Sequence, residues 1–591
     1  MKTPKHTTNS STPDNSGRAA RRLIVPLSVF AVLLATVGFR LLAQSDDSAA
    51  ATAKPPADVT FAAEIAPILH AECAGCHRPG GSAPFSLLTY DDAQERAPRI
   101  ARATAGRVMP PWLPESDGKT FVGERHLTEQ QIELFQRWAQ DGAPAGDLSA
   151  APEPPAPAPA WRLGEPDLIV DVPTYTLQAE GRDVYRNLVV SIPIDRPRYV
   201  TSVELRPGDP RVVHHARMMI DTTDSSNALD LEDAAPGFDG MELRSNASNP
   251  EGHFLGWTPG KGALPPLENM AWRIEPGTDL VLQLHMRTTG EEERVESEVG
   301  FYFTDTPPTE APVLLLLSSL MLDIPAGEPE YRVTNSYTLP VAVDLLSIYP
   351  HAHYLGKDLS GFATLPGGSS RTLIRIPDWD FNWQDDYRFQ EPVRLPAGSV
   401  LTLDFTFDNS AENPRNPSDP PVRVVYGSNS MDEMADLILQ VLPVNPADRA
   451  TLIADAAWQN ETEDMAYMAA QQFGRGSESL TAGDPDQAIF HFREVMQYQL
   501  DHPGALSGLT RAFLMKGDAE SAQVVGERAA QVSGGSDPVV LSLLAQAYAA
   551  LQDGRALSVA ERALRLAKGQ GRTALADSIQ ARLPAYRAIP R

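Results

Sequence analysis

The sequence predicts a multidomain protein in which a small all-α segment precedes two all-β sandwich domains and a C-terminal array of helices. Three observations predict this order. A proline-alanine run, APEPPAPAPA, occupies Ala151 to Ala160 and reads as a semi-rigid spacer between folded units. From 161 to 445, short apolar-alternating runs such as Leu280 to Arg287 and Val400 to Phe407 are broken by Pro, Gly, Asn and Asp, the pattern of sandwich strands. Beyond about Trp458 the chain turns Ala- and Leu-rich with helical spacing. A length of 591 residues accommodates such a series, at roughly 150 residues per domain. The net charge of -27 repels phosphate backbones and anionic lipid, which excludes nucleic acid as a partner.

At the N-terminus, Lys2, Lys5, Arg18, Arg21 and Arg22 face one acid, Asp14, and are followed by an uncharged run from Leu23 to Phe39 that extends past Arg40 to Leu42. Its length fits a single membrane span with the basic flank in the cytoplasm, the alternative being a cleaved signal peptide. Residues 1–44 are thus a tail with an anchor or signal, and 45–57 an Ala-, Ser- and Asp-rich tether. Either reading places the rest outside the cytoplasm, in a bacterial periplasm.

Residues 58–148 hold the chain's two cysteines, in Cys73-Ala74-Gly75-Cys76-His77. Two residues apart, they cannot staple distant parts of a fold. In a C-x-x-C-H sequence the thiols add to haem vinyl groups and the imidazole ligates iron. Met109 is the one methionine between Met1 and Met218, in Val108-Met109-Pro110-Pro111-Trp112, and is the expected sixth ligand. His70 and His126 compete with it, although His126 precedes a capping box, Thr128-x-x-Gln131, that opens a helix. The segment resembles a c-type cytochrome domain, which implies one covalently bound haem c. Residues 149–160 form the linker.

In the β region five of the twelve histidines fall into three motifs. The first is Val213-His214-His215-Ala216. Adjacent histidines on a regular strand point to opposite faces, so sharing an ion requires a bulge or a strand end here. The second is Leu284-His285-Met286, whose parity puts Leu280, Leu282, Leu284 and Met286 on the core face and His285 on a polar face lining an open cleft. The third is Pro350-His351-Ala352-His353-Tyr354-Leu355-Gly356, with histidines at i and i+2 on one strand face. A methionine-bearing turn, Ser430-Met431-Asp432-Glu433-Met434, follows. Two imidazoles with a thioether suit cuprous copper, and three imidazoles accept copper in either oxidation state.

His-His, a lone His, His-x-His with Leu-Gly, and then Asp-Glu-Met, in this order, resemble the copper type II ascorbate-dependent monooxygenases, the family of dopamine beta-monooxygenase and peptidylglycine alpha-hydroxylating monooxygenase. The resemblance covers about 161–445 and includes Asp408-Asn409-Ser410 to Asn413-Pro414. It implies two jelly-roll-like sandwiches, 161–308 and 309–445, and two copper ions. One copper would be held by His214, His215 and His285, and the oxygen-binding one by His351, His353 and Met434. Met431 is the rival thioether, disfavoured because the family's ligand directly follows Asp-Glu. The implied reaction is hydroxylation of an aliphatic C–H bond with O2, electrons coming from ascorbate or through the fused cytochrome. Two departures narrow this. The animal enzymes are braced by disulfides, whereas this region has no cysteine. The peptide-amidating enzyme clamps its substrate carboxylate with an arginine where this chain has Tyr349, and it binds peptide through positions that are Asp436 and Ile438 here. A neutral or hydrophobic small molecule is therefore expected in place of a glycine-extended peptide.

In the C-terminal region Ala488, Ala522 and Ala556 recur 34 residues apart, as do Gly483-Asp484 and Gly517-Asp518. This period resembles tetratricopeptide repeats over 460–591, an array that binds a protein partner or caps its neighbour. The competing class for the whole chain is a non-catalytic periplasmic electron-transfer or copper-binding scaffold. A zinc hydrolase is disfavoured by the thioether and by the lack of an H-E-x-x-H helix motif.

Overall fold

The computed structural model describes residues 58–590 except 116–119, 157–158, 182, 242 and 428, so the expected anchor or signal and the tether lie outside the described residues. Among the described residues, no helix is long and apolar enough to cross a membrane.

The first folded segment packs helices Ala66–Glu72, Tyr90–Ala105 and Glu129–Gln140 around Ile65, Leu69, Ala93, Phe135 and Trp138, all fully buried. Thr89 and Thr128 each start a helix through a capping box, with Asp92 and Gln131 returning the bond, so the expected Thr128 box is present. The segment is not self-contained, because Phe121 is buried in the core of the second β domain and Val122 N donates to Arg388 O at 2.8 Å.

Two all-β domains follow, each with two larger sheets that share a core. The first sets the sheet Leu168–Asp171, Glu298–Thr304, Arg198–Arg206, Trp272–Ile274 against a five-stranded one. That second sheet runs in the order Phe238–Asp239, Val184–Ser191, Asp279–Met286, Val213–Asp221, Leu255–Trp257. The second domain sets Val313–Ser318, Asp436–Pro443, Val343–His351, Tyr387–Leu395 against Tyr331–Thr338, Val400–Phe407, Gly356–Thr364, Ser370–Ile376. Strand Val400–Phe407 alternates half-buried with buried positions, and its Leu401, Leu403, Phe405 and Phe407 are sealed in the core. Each such side chain contributes roughly 1.5–3 kcal/mol, which is how sandwiches without disulfides are held.

The C-terminal helical stretch begins at Arg449, ahead of the expected 460, with a 34-residue helix to Ala482. Its first turns pack on the second β domain through fully buried Leu452, and Asp455 accepts from Tyr337 Oη at 2.8 Å. Six helices follow: Pro485–Tyr498, Pro503–Lys516, Ala519–Val532, Pro538–Ala550, Arg555–Gly569 and Thr573–Arg587. The repeated Gly-Asp pairs have a mechanical role. Gly483 and Gly517 end helices at φ of 80° and 81°, and Asp484 and Asp518 cap the next ones by accepting from Gln487 N and Ser521 N. Ala488, Ala522 and Ala556 are each fully buried in the cores between the helices.

Candidate metal centre

Three histidines meet in the first β domain because of one extra residue. The pairing of Val213–Asp221 with Asp279–Met286 matches Val213 to Met286 and then His215 to His285, leaving His214 as a bulge. The bulge turns both His214 and His215 toward His285. The Nδ1 atoms of His214, His215 and His285 lie 3.1–3.3 Å from one another. Such a triangle is what nitrogen donors form about one cation at about 2 Å. His285 Nε2 donates to Asp183 Oδ2 at 2.9 Å, so in the neutral ring Nδ1 keeps its lone pair. Burial pushes His214 down to about 3 and His215 and His285 below the usual imidazole range, which keeps all three neutral as metal ligands must be.

His285 lies opposite the core-facing Leu284 and Met286, as strand alternation requires, but the open cleft expected around it is absent. It is 0% exposed, with Tyr185 from the adjoining strand stacked on it at 4.2 Å. Parity reports which side of a sheet a residue takes, and a second domain here covers that side.

In the second β domain, His351 ends the strand Val343–His351 and His353 lies just beyond it, with ring centroids 5.1 Å apart. His353 Nδ1 donates to Asp432 O at 3.1 Å, and its Nε2 is buried without a hydrogen-bond partner. His351 Nδ1 donates to Gln384 Oε1 at 2.7 Å. Burial holds His353 down at about 3 and lowers His351 as well. Glu433 ties the two motifs together, accepting from the backbone N–H of His353, of Leu355 at 2.9 Å and of Met434 at 2.9 Å. Met434 is half-buried and shares a cavity wall with His351, whereas Met431 is 50% exposed.

The two histidine sets adjoin. The Phe381 ring lies 6.3 Å from the rings of His214, His215 and His285, 6.5 Å from His351 and 5.4 Å from His353. A cavity of about 180 Å³ opens beside them, lined by His215, His351, Met434, Tyr349, Trp257 and Ile438 among others. It shares Phe254, Gly256, Trp257 and Asp386 with a larger cavity of about 430 Å³, whose wall also carries His253. Tyr349 stacks on Phe254 at 4.6 Å and donates to Gln384 Oε1 at 3.0 Å.

At the Cys73-x-x-Cys76-His77 motif both thiols are free, and burial pushes Cys73 up to about 12. His77 Nδ1 donates to Phe85 O at 3.1 Å, which leaves the Nε2 lone pair available to a ligand. His70 spends its Nε2 on Leu88 O at 3.0 Å. His126 stands 3.8 Å from Glu124. Met109 is half-buried after the helix Tyr90–Ala105, its backbone N donating to Ala103 O at 3.2 Å.

No family model and no curated protein matches the chain. Among solved structures, the first tetratricopeptide domain of human RPAP3 matches 20% of this chain and 96% of its own length, at 21% identity and a TM-score of 0.18. The infectious bursal disease virus Gx strain structure matches 49% and 84%, at 10% identity and 0.14. The VP2 subviral particle of that virus matches 50% and 85%, at 8% and 0.13. None of these bears on the function.

Asp183, Tyr185, Phe381 and Gln384 were not legible as site residues in the sequence. Each reaches the histidines only through a strand pairing or a turn between strands. The one signal along the chain was the polar-aromatic cluster Phe381-Asn382-Trp383-Gln384-Asp385-Asp386, rich in side chains that a plain connection does not need.

Proposed function

We propose that the chain is a copper-dependent monooxygenase that hydroxylates an aliphatic C–H bond of a small organic molecule with O2 outside the cytoplasm. One observation carries the reading: two sets of buried or half-buried, neutral imidazoles flank Phe381, and His215 of one set and His351 of the other line one cavity. The donor sets fit copper. His214, His215 and His285 would hold one ion through Nδ1, and His351, His353 and Met434 a second, softer one. When bound, these ions supply the one-electron chemistry that O2 requires.

The chain's own residues hold and orient. Asp183 fixes the His285 tautomer, Gln384 fixes that of His351, and Glu433 locks the His-x-His segment onto the methionine turn. Trp257, Phe254 and Ile438 give the cavity apolar walls that exclude water and seat a hydrocarbon portion of the substrate. Cys73, Cys76 and His77, with Met109 as sixth ligand, would hold haem c as the electron-donating group, with ascorbate the alternative donor. The helical array is read as tetratricopeptide-like and as a dock for a protein partner.

Purified protein is expected to hold two coppers and one covalent haem and to consume O2 when reduced. Met434→Ala should lose about one copper per chain together with O2 consumption, read by metal analysis and an oxygen electrode. Unchanged copper content and oxygen uptake in that variant would overturn the assignment.

A further inference from the structure

The turn between the strands Ser370–Ile376 and Tyr387–Leu395 adjoins both histidine sets, and its end contacts Trp112, three residues after Met109, and Lys261, next to a glycine that lies against Cys76. At its start, Phe381 sits among all five motif histidines. In its middle, the Gln384 amide is 3% exposed and spans both histidine sets. Its Oε1 accepts from His351 at 2.7 Å, and its Nε2 lies 3.4 Å from His215 Nδ1. At its end, the turn meets the cysteine-bearing segment through Trp112 and approaches it a second time through Lys261 of the first β domain. The Tyr387 ring packs edge-on against Trp112 at 5.3 Å, on the strap that follows Met109. Asp385 and Asp386 both receive the buried Lys261 ammonium, 2.8 Å away in the case of Asp385. Lys261 follows Gly260, whose backbone lies so close to the haem motif that a Cβ built there would stand 2.8 Å from Cys76 Sγ. Gly260 also has a φ of +82°, so glycine is required twice over.

We propose that the Phe381–Tyr387 turn is an internal electron conduit from the Cys73/Cys76 haem to both copper sites, with Gln384 as the branch point and with Lys261 and Trp112 marking its two contacts on the haem side. The inference rests on the copper and haem reading. In each transfer one electron leaves a ferrous haem, which becomes ferric, and reduces one cupric ion to cuprous; no bond or proton moves at the haem. The buried Lys261 with Asp385 and Asp386 holds the haem-side end of the turn rigid, since breaking a buried pair leaves an uncompensated charge. Gln384 is a positioning residue, acting through His351 and His215.

The test uses the full chain loaded with copper and haem under anaerobic conditions. The haem is reduced by a short radiolytic pulse, and its reoxidation is followed by absorbance while the cupric signal is followed by electron paramagnetic resonance. Gln384→Met conserves volume, and Tyr387→Leu touches no histidine. Tyr387→Leu is expected to keep the haem bands and two coppers while slowing haem reoxidation by about tenfold or more, and Gln384→Met, which also removes the bond that orients His351, to slow it likewise in the fraction that retains both coppers. Should Gln384→Met lose copper, Tyr387→Leu decides alone, and slowing there supports the conduit. Slowing in Gln384→Met alone removes the Trp112 route and keeps the branch point. Unchanged rates in every variant that retains copper overturn the conduit, as does a wild-type chain that holds both cofactors without copper-dependent haem reoxidation. Absence of copper or covalent haem from the wild-type protein overturns the underlying reading instead.

Discussion

Asp183 shows how much of a ligand set is decided outside it. Its carboxylate accepts from His285 Nε2, and that bond determines which ring nitrogen faces His214 and His215. Asp183→Ala frees the ring to flip or change tautomer, and affinity at the three-histidine site is expected to fall about 10–100-fold. Competition against a cuprous chelator measures it, and an unaltered affinity would remove Asp183 from the site. Asp221, at the far end of the His214 strand, works through charge. Burial, the largest single influence, raises its carboxyl, but hydrogen bonds from Ser226 and Thr223 together outweigh this and hold it well below the usual carboxylate range. A depressed folded-state pKa contributes stability that is fully present above the unfolded value and is lost as pH falls through the folded one. Asp221→Ala should therefore destabilise the first β domain at neutral pH, by an amount that shrinks as pH drops below about 4. Denaturant midpoints measured across that range give the sign.

At the scale of elements, the His214 bulge and the fully buried alanines of the helical array make opposite demands. The bulge spends a ladder position to bring two adjacent imidazoles together beside His285. The helices permit no such irregularity: Ala522 is 0% exposed within the packed helix Ala519–Val532, so a larger side chain there has no room. Ala522→Leu is expected to cost about 1–3 kcal/mol by overpacking. The loss should be confined to amides of the helical stretch, as hydrogen exchange would show; uniform loss across the β domains would contradict a separately packed array. Elements were legible in the sequence to different depths. The 34-residue period exposed the helices because Ala488, Ala522 and Ala556 recur at equivalent buried positions of successive helix pairs. Strand alternation gave the side taken by His285 but not its burial, because burial depends on a domain that arrives later in the chain.

At the scale of the molecule, the two β domains and the cysteine-bearing segment interlock. Phe121 enters the second domain's core, Lys261 of the first domain reaches Asp385 of the second, and Gln384 lies against histidines of both. Copper bound at such sites favours the folded state by about 2.7 kcal/mol per site at a free-ion concentration 100 times Kd. Chelation is therefore expected to lower the unfolding midpoint of the β domains by several degrees and to leave the helical stretch unmoved. Calorimetry with and without chelator separates the two, and coincident shifts would argue that the whole chain unfolds as one body.

Residue chemistry written along the chain was enough to mark the C-x-x-C-H motif, the five motif histidines, the Asp-Glu-Met turn, the strand alternation and the helical period. These are local properties, set by neighbours within a few residues or by a regular repeat. Their meeting was decided by the tertiary structure alone. His285 reaches His214 and His215 only through a register, and the two histidine sets share a cavity only because two domains close on one turn. Contacts between residues this distant in sequence depend on how whole sheets pack, and no periodicity along a single chain encodes that.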